Sequence, residues 1–495
     1  MKQLSLIDSM FLYAEDARMP MHIGSLYILA SDEEKEFNIK DFKHFFEERL
    51  HLTPVFRRRL IETPLNIGRP YWINDPDFNL DNHISHIALP KGGTRADFLK
   101  LVSQIYSQPL DRTKPLWSNT VITGLDNISS VPKNGFAIVS KVHHANIDGM
   151  SGAEIQKATF DLSSTPREIK PPTEPFKTVA LDKIPALIAK DYAKQMTKVP
   201  EKMFGFFKSS TEAVGSLVKS GLSPKDLGKA IFKPTAPQSI FNKSVTPSKA
   251  FGIIDFPIAK VKRIKDLAGV KVNDVMLAIC GGGMRKYLIE KDELPQRSLV
   301  AGVPVSLRTK EQQSDMGNQV TMMQVELGTT ESDSLERLKK INEDTKSSKV
   351  IAKAAPVTKI AELIPSSVAA AAAKVYTRNG ALTKYALFQN VVITNVPGPR
   401  MPLYIAGFRI IYHYGLGITL ENMGLMITIF SMEDTVSVTL TACQKLVPAV
   451  QKPAYYIKEE INTLDHILSS KEEEKDIFQE LAAKFNMPET QRSLL

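Results

Sequence analysis

The amino-acid sequence predicts an α/β protein built as two layered units. Strand-like apolar runs alternate with amphipathic helical patterns in both halves of the chain, the order that layered α/β architectures produce. Between the halves, residues 166–250 change character. Prolines recur at 166, 171, 172, 175, 185, 200, 224, 234, 237 and 247, with lysines between them, as in an inter-domain connection. A chain of 495 residues is long enough for two units of roughly 150–250 residues each. The expected division is therefore a first unit at 1–165, a linker at 166–250 and a second unit at 251–495. No tandem repeat is visible.

In the first unit, Ser5-Leu6-Ile7-Asp8 caps a short helical turn with Phe11 and Leu12 on its apolar side. Pro20-Met21-His22-Ile23-Gly24 leads into the strand-like run Ser25–Leu29. Phe42, Phe45, Phe46 and Leu50 recur at helical spacing and predict an amphipathic helix over 38–50. The run Arg57-Arg58-Arg59 is either a solvated face or a contact for a cofactor phosphate. His83 and His86 read as structural. A helix over 95–107 precedes a strand over 119–123 and a second strand, Phe136–Ser140; helical character resumes over 152–162.

Within the linker, 184–222 mixes apolar residues with spaced lysines, and Met203-Phe204-Gly205-Phe206-Phe207-Lys208 is its most apolar patch. It is either a membrane-interface segment or a pair of helices packed over the domain junction. The second unit opens with a strand over 251–256 and a helix over 258–267. Another helix starts at 272, with Asn273 or Asp274 at its cap. Strands follow at 299–305 and 320–327, a helix at 334–347, an Ala-rich helix at 362–374 and a strand at 388–394. Segments 426–430 and 436–441 pair as a hairpin, and a helix over 454–468 closes the unit before a charged tail.

Composition narrows the function. The net charge of +9 favours acidic partners such as anionic lipid or a phosphorylated cofactor. Nucleic acid is not expected, because the lysines are scattered and no zinc-finger, helix-turn-helix or basic-zipper pattern occurs. The two cysteines, Cys280 and Cys443, sit in apolar runs, as buried thiols of a reducing compartment do, and nine dispersed histidines give no metal spacing. Glu15, Asp16 and Arg18 interrupt any signal-peptide core, and no stretch reaches ~18 uninterrupted apolar residues. The expected location is cytoplasmic, with any membrane contact peripheral.

One stretch concentrates the chemistry: Lys141-Val142-His143-His144-Ala145-Asn146-Ile147-Asp148-Gly149. In an extended strand neighbouring side chains point to opposite faces, so only one of the two histidines faces a given cleft. Gly149 tolerates the bend that brings Asp148 back towards the strand end. The stretch is either structural or a general base held by its turn. Neutral imidazole is a competent base for a hydroxyl or thiol near pH 7. No Gly-x-Ser-x-Gly elbow, P-loop or Gly-x-Gly-x-x-Gly occurs, and Gly281-Gly282-Gly283 lies in a helical pattern where close packing explains it.

His143-His144-x-x-x-Asp148-Gly149 resembles the active-site motif of acyl-CoA-dependent acyltransferases and of condensation domains. Further blocks narrow the resemblance to the bacterial wax ester synthase/diacylglycerol acyltransferase family: Ser5-x-x-Asp8-x-x-Phe11-Leu12, Pro20–Gly24, Pro115-Leu116-Trp117, Val272-Asn273-Asp274-Val275, Pro304-Val305-Ser306-Leu307-Arg308 and Asn395-Val396-Pro397-Gly398-Pro399. The blocks keep the family's order and span most of the chain.

The resemblance implies two coenzyme A-dependent acyltransferase-like (chloramphenicol acetyltransferase-like) domains with a channel between them. It implies transfer of a fatty acyl group from acyl-CoA, a substrate rather than a cofactor, to diacylglycerol or a long-chain alcohol. The place would be the inner face of the membrane or a lipid-droplet surface. His144 would be the general base, His143 supporting, Asp148 the orienting residue with Arg308 as its partner, and Asn273 an oxyanion donor beside the structural Gly149 and Asp274. A condensation-type enzyme using carrier-bound acyl groups shares the motif, but the chain has no carrier domain. A non-catalytic lipid-surface protein would not need His144 and Asp148 intact. Departures from the family pattern at Gly281–Gly283, Leu425-Met426-Ile427-Thr428 and Met432 bear on acceptor preference more than on reaction type.

Overall fold

The computed structural model describes residues 1–31, 35–63, 69–147, 151–173, 176–179, 181–196, 236–306, 320–354, 371 and 387–484. In the first half, β1 (Lys2–Gln3), α1 (Leu6–Ala14), β2 (His22–Ala30), α2 (Ile39–Glu47), β3 (Arg58–Ile61), β4 (Tyr71–Asn74) and β5 (Ile84–Ala88) lead to α3 (Arg95–Ser107). Then come β6 (Trp117–Thr123), β7 (Phe136–His143), α4 (Ser151–Thr159) and α5 (Ile184–Met196). The second half holds β8 (Lys249–Pro257), α6 (Ile258–Ala268), α7 (Val272–Glu290), β9 (Val300–Ser306), β10 (Val320–Glu326), α8 (Ser334–Ala354) and β11 (Val391–Pro397). It ends with β12 (Tyr404–Ile405), β13 (Phe408–Leu416), β14 (Leu425–Met432), β15 (Thr435–Cys443) and α9 (Gln451–Lys484).

Two six-stranded sheets form, in the orders β12-β13-β2-β7-β6-β5 and β10-β9-β11-β14-β15-β8, beside a small β1-β4-β3 sheet. The sheets do not follow the division of the sequence at 251. The β12–β13 hairpin leaves the second half and extends the first sheet, with Leu416 opposite Gly24 and Arg409 opposite Ala30. Spacing along the chain cannot reveal such an exchange, because a half-buried strand fits either sheet equally well.

Local chemistry explains most boundaries. Ser5 accepts the Asp8 amide at 3.0 Å and starts α1, and Asn38 accepts the Lys40 amide at 2.8 Å and starts α2. Thr94 and Asp97 cap α3 reciprocally. The α7 start differs from expectation. Lys271 holds the cap position, and Asp274, in the first turn, accepts the Lys271 amide at 3.0 Å. Asp274 also accepts Asn342 Nδ2 at 2.7 Å and Thr345 Oγ1 at 2.9 Å, so its structural part is to fasten α8 to α7.

The expected 426–430/436–441 hairpin is β14–β15. The closing helix, expected to stop at 468, continues to Lys484, because Lys471-Glu472-Glu473-Glu474-Lys475 are good helix formers. The strand expected from 388 begins at Val391. The Met203–Lys208 patch lies outside the described residues, and so does all of the Ala-rich segment 362–374 but residue 371.

The second core packs α6, α7, α8 and α9 on one face of their sheet, with Val275, Leu277, Ile279, Leu338, Ile457, Ile461 and Leu464 fully buried. Glycines let α7 approach its neighbours. A Cβ on Gly281 would lie 2.1 Å from the Leu327 carbonyl oxygen, and one on Gly283 would lie 2.7 Å from the Ile457 amide nitrogen. No single helix among the described residues is long and apolar enough to cross a membrane. Gly281→Ala should lower stability by about 1–3 kcal/mol through overpacking against backbone. The check is the midpoint of urea unfolding; an unchanged midpoint would contradict the contact.

Candidate active site

The histidine turn is anchored at successive backbone positions. β7 ends at His143, and His144-Ala145-Asn146 form a single 3-10 turn. His143 lies directly opposite His22 in the antiparallel β2–β7 pair. The His143 amide donates to Leu116 O at 3.0 Å, and the His144 amide donates to Met21 O at 2.8 Å. The Ala145 amide donates to His143 Nδ1 at 3.1 Å. Asn146, fully buried, accepts Arg58 Nη2 on its carbonyl at 2.8 Å and donates Nδ2 to Val55 O at 3.3 Å. The blocks containing Met21, Leu116 and Phe11, distant in sequence, thus meet around one turn.

His144 and His143 have different surroundings. The His144 ring stacks on Phe11 with centroids 3.9 Å apart and planes 13° apart. Its Nδ1 is buried without a hydrogen-bond partner among the described residues. Burial, with the nearby His143, lowers its pKa to about 4, so the ring is neutral near pH 7. His143 is fully buried. Because its Nδ1 accepts the Ala145 N–H, the neutral ring carries its proton on Nε2, 3.5 Å from Glu15 Oε2.

Glu15 also accepts the Met21 amide on Oε1 at 2.9 Å, and Arg112 Nε and Nη2 on Oε2 at 2.9 and 2.7 Å. Burial by itself would raise this carboxyl. The His143, Arg112 and Met21 contacts outweigh it and hold the pKa at about 2. Arg112 reaches further, to Leu12 O at 2.7 Å and Glu62 Oε1 at 2.9 Å.

Behind the turn, Lys141 Nζ donates to Ile105 O at 2.9 Å and Gln108 O at 2.8 Å, capping the end of α3, and burial lowers its pKa to about 8. Tyr106 OH sits 3.1 Å from His22 O, 2.8 Å from Leu416 O and 3.0 Å from Gly417 O. His22 Nε2 lies 2.7 Å from Tyr106 O, and burial, ahead of Lys141, lowers the His22 pKa to about 3.

The basic run does not form one solvated face: Arg58 and Arg59 alternate along β3, and Arg57 leaves the turn before it. Arg58 is buried, stacks over Trp72 at 4.8 Å and binds Asn146. Arg59 pairs with Asp75 at 3.2 Å, and Arg57 lies over the Phe78 and Phe176 rings. His83 accepts its expected structural part, stacked on Trp117 at 4.6 Å.

Of the residues singled out in the sequence, His143 and His144 stand together at the turn. Asp148, Gly149 and Arg308 lie outside the described residues. Asn273 is on the first turn of α7, half-buried, and its amide has no hydrogen-bond partner among the described residues. Sequence reasoning missed Glu15, Arg112, Arg58, Asn146 and the stacking by Phe11. The signal for Phe11 was its place in the first block, and Asn146 sits inside the histidine motif. A cleft of about 690 Å³ opens between α3 and the start of β8, lined by Ser103, Gln104, Lys249, Phe251 and Gln444 among others; none of its lining belongs to the histidine turn.

Residues 4–276 match the wax ester synthase/diacylglycerol acyltransferase catalytic domain, and residues 316–465 match the C-terminal domain of the same proteins. The O-acyltransferase WSD of Acinetobacter baylyi is 32% identical over 482 residues, 96% of this chain and 99% of that protein. A probable diacylglycerol O-acyltransferase of Mycobacterium tuberculosis is 30% identical over 471 residues, 92% of this chain and 97% of that protein. Among solved structures, the wax ester synthase/diacylglycerol acyltransferase of Marinobacter aquaeolei superposes with a TM-score of 0.67 and 25% identity, covering 94% of this chain and 100% of that chain. The first condensation domain of a calcium-dependent antibiotic synthetase shares the fold, with a TM-score of 0.54 at 13% identity over 94% of this chain and 96% of that chain. On these matches, which span both halves, the chain belongs to the wax ester synthase/diacylglycerol acyltransferase family of acyltransferases.

Proposed function

We propose that this acyltransferase moves a fatty acyl group from acyl-CoA to the hydroxyl of diacylglycerol or of a long-chain alcohol, with His144 as the general base. The observation that carries the reading is the His144 ring itself. It is held flat on Phe11, at the end of an anchored turn, and burial keeps it unprotonated at neutral pH. In the proposed step His144 takes the proton of the acceptor hydroxyl. The oxygen attacks the thioester carbonyl, the C–S bond breaks, and coenzyme A leaves as the thiol after receiving that proton. No acyl-enzyme forms. Asp148, partnered by Arg308, would hold the loop, with Gly149 allowing its bend. The Asn273 amide, without a hydrogen-bond partner among the described residues, would donate to the tetrahedral oxyanion.

Acceptor choice would be set near Met426. It packs against the same apolar cluster, around Met21, as Phe11, the ring stacked on His144. The acceptors are water-insoluble, and the net charge of +9 suits an anionic lipid surface, either the inner membrane face or a lipid inclusion.

His144→Ala should cut coenzyme A release from palmitoyl-CoA plus diolein or hexadecanol by about 10²–10⁴-fold with thermal unfolding unchanged. Near-normal turnover would remove the general-base assignment. Because the His144 pKa is lowered, the base protonates only as pH falls towards about 4; kcat/KM, which reports the free protein, should therefore be insensitive to this group from pH 6 to 8 and decline as pH falls towards 4. A rate that instead climbs through pH 6.5 would contradict the burial of the ring. Asn273→Ala should lower kcat by roughly 10²–10³-fold, as the loss of an oxyanion donor does; a change confined to KM would argue against that role.

A further inference from the structure

Glu15 and Arg112 stand outside the histidine motif and make a closed set of contacts around it. Glu15 Oε1 accepts the Met21 amide at 2.9 Å, and Met21 O accepts the His144 amide at 2.8 Å. Glu15 Oε2 lies 3.5 Å from His143 Nε2, close enough for charge to act on the ring though without hydrogen-bond geometry, and His143 Nδ1 accepts the Ala145 amide at 3.1 Å. One carboxylate therefore holds Met21, just before β2, and stands against the His143 ring, so it acts on the turn from both sides of His144. Its side chain is only 7% exposed, so solvent does little to weaken these contacts.

The Ala145 bond exists only while His143 Nδ1 has a free lone pair. A protonated imidazole donates from both nitrogens and would break it. A bare carboxylate beside the ring would favour that protonated form. Arg112 opposes this, with Nε and Nη2 both on Glu15 Oε2. Among the described residues, the other charged or titratable groups facing this cluster are Glu62 on Arg112, and His22, Lys141 and His144 around His143. His22 is neutral and Lys141 is engaged with the end of α3, so Arg112 is the cation placed to balance Glu15.

We propose that Glu15, charge-balanced by Arg112, is a positioning residue that locks His143 in its neutral Nε2–H tautomer and thereby fixes the backbone that presents His144. The proposal rests on the general-base reading of His144 for its effect on rate, while the tautomer lock stands on its own geometry.

The test uses the full chain and two readouts. The first is the pH profile of kcat and KM for palmitoyl-CoA with hexadecanol, in wild type, Glu15→Gln, Arg112→Gln and the double variant. Glu15→Gln should lose kcat on the order of 10²-fold with KM nearly unchanged, as a misplaced reacting group does. Glu15→Asp should recover part of the loss. Arg112→Gln should move the acid limb of kcat to higher pH, and the double variant should move it back. The second readout is the ¹⁵N resonance pattern of labelled histidine, with His143 assigned from a His143→Gln spectrum. Wild type should show the Nε2–H tautomer at neutral pH, and Glu15→Gln should lose it.

Wild-type kcat in Glu15→Gln, superposable pH profiles for Arg112→Gln, or a mixed His143 tautomer in wild type would each overturn the proposal. A wild type with the locked tautomer but no turnover on any acceptor would instead sink the functional reading and leave the lock standing. Should Glu15→Gln fail to fold, the Arg112→Gln profile and the wild-type spectrum still decide the matter.

Discussion

The candidate site depends on one register, His22 directly opposite His143. Side chains alternate along a strand, so a slip of one residue would turn His143 away from Glu15 and put Val142 in its place. Several independent contacts forbid the slip. Leu26 and Ile28 on β2 and Val139 on β7 face the α3 side with Val102 and Tyr106, while Leu29, Phe136 and Ile138 face the aromatic core of α2. Gly24 has no room for a side chain: a Cβ there would meet Ser140 O at 2.3 Å and the Tyr106 ring at 2.8 Å. The register thus arises from packing on both sheet faces, and the polar contacts at the strand ends exploit it.

The same register ties the site to the second half of the chain. β2 is flanked by β7 on one side and by β13, an incoming strand, on the other. The Tyr106 hydroxyl gathers the His22, Leu416 and Gly417 carbonyls, so the end of β13 and the start of β2 share one donor. Further along β13, Tyr414 OH donates to Asp255 of β8 at 3.0 Å, and Ser437 of β15 donates to the same carboxylate at 2.6 Å. α3 also meets β8 directly, with the Lys249 amide donating to Ser107 Oγ at 2.9 Å. The strand exchange makes the halves one mechanical body around His22 and His143. A substitution in β14 or β15 is therefore only two packed elements from the histidine turn.

Much of this was legible in the sequence. The helix cap at Ser5 is local hydrogen-bond chemistry, and the aromatic spacing in α2 reports one buried face. The histidine turn, the glycine-mediated packing of α7 and the β14–β15 hairpin were readable for the same reason: each is decided within a few residues. The strand exchange was not, because hydrophobic alternation states that a face is buried and not against which sheet. Glu15 and Arg112 were illegible for a related reason. A carboxylate just past the end of a helix and an arginine in a polar loop have the ordinary appearance of surface residues. They are 97 positions apart in sequence, and only the fold brings them within 2.7 Å. The basic run at 57–59 shows the limit from the other side: three adjacent like charges suggest one surface, yet a turn and the strand after it send them to separate partners.

Electrostatics then constrain what the turn can do. Burial dominates for His22 and His144, holding them at about 3 and about 4, and holds the more distant His413 at about 3. A ring so held is always available as an acceptor at neutral pH, but it is a weak base. To take a proton from an alcohol, it must be stabilised as imidazolium more in the transition state than in the free protein. The backbone of His144 itself supplies part of that stabilisation, since its contact with the ring favours the charged form. Burial opposes it and is the larger effect, with the neighbouring His143 adding to burial. The ring stays on Phe11 because its turn is fixed at Ala145 by His143 and at Asn146 by Arg58. The basicity of His144 is therefore set by the balance between its own backbone and the apolar surface it lies against.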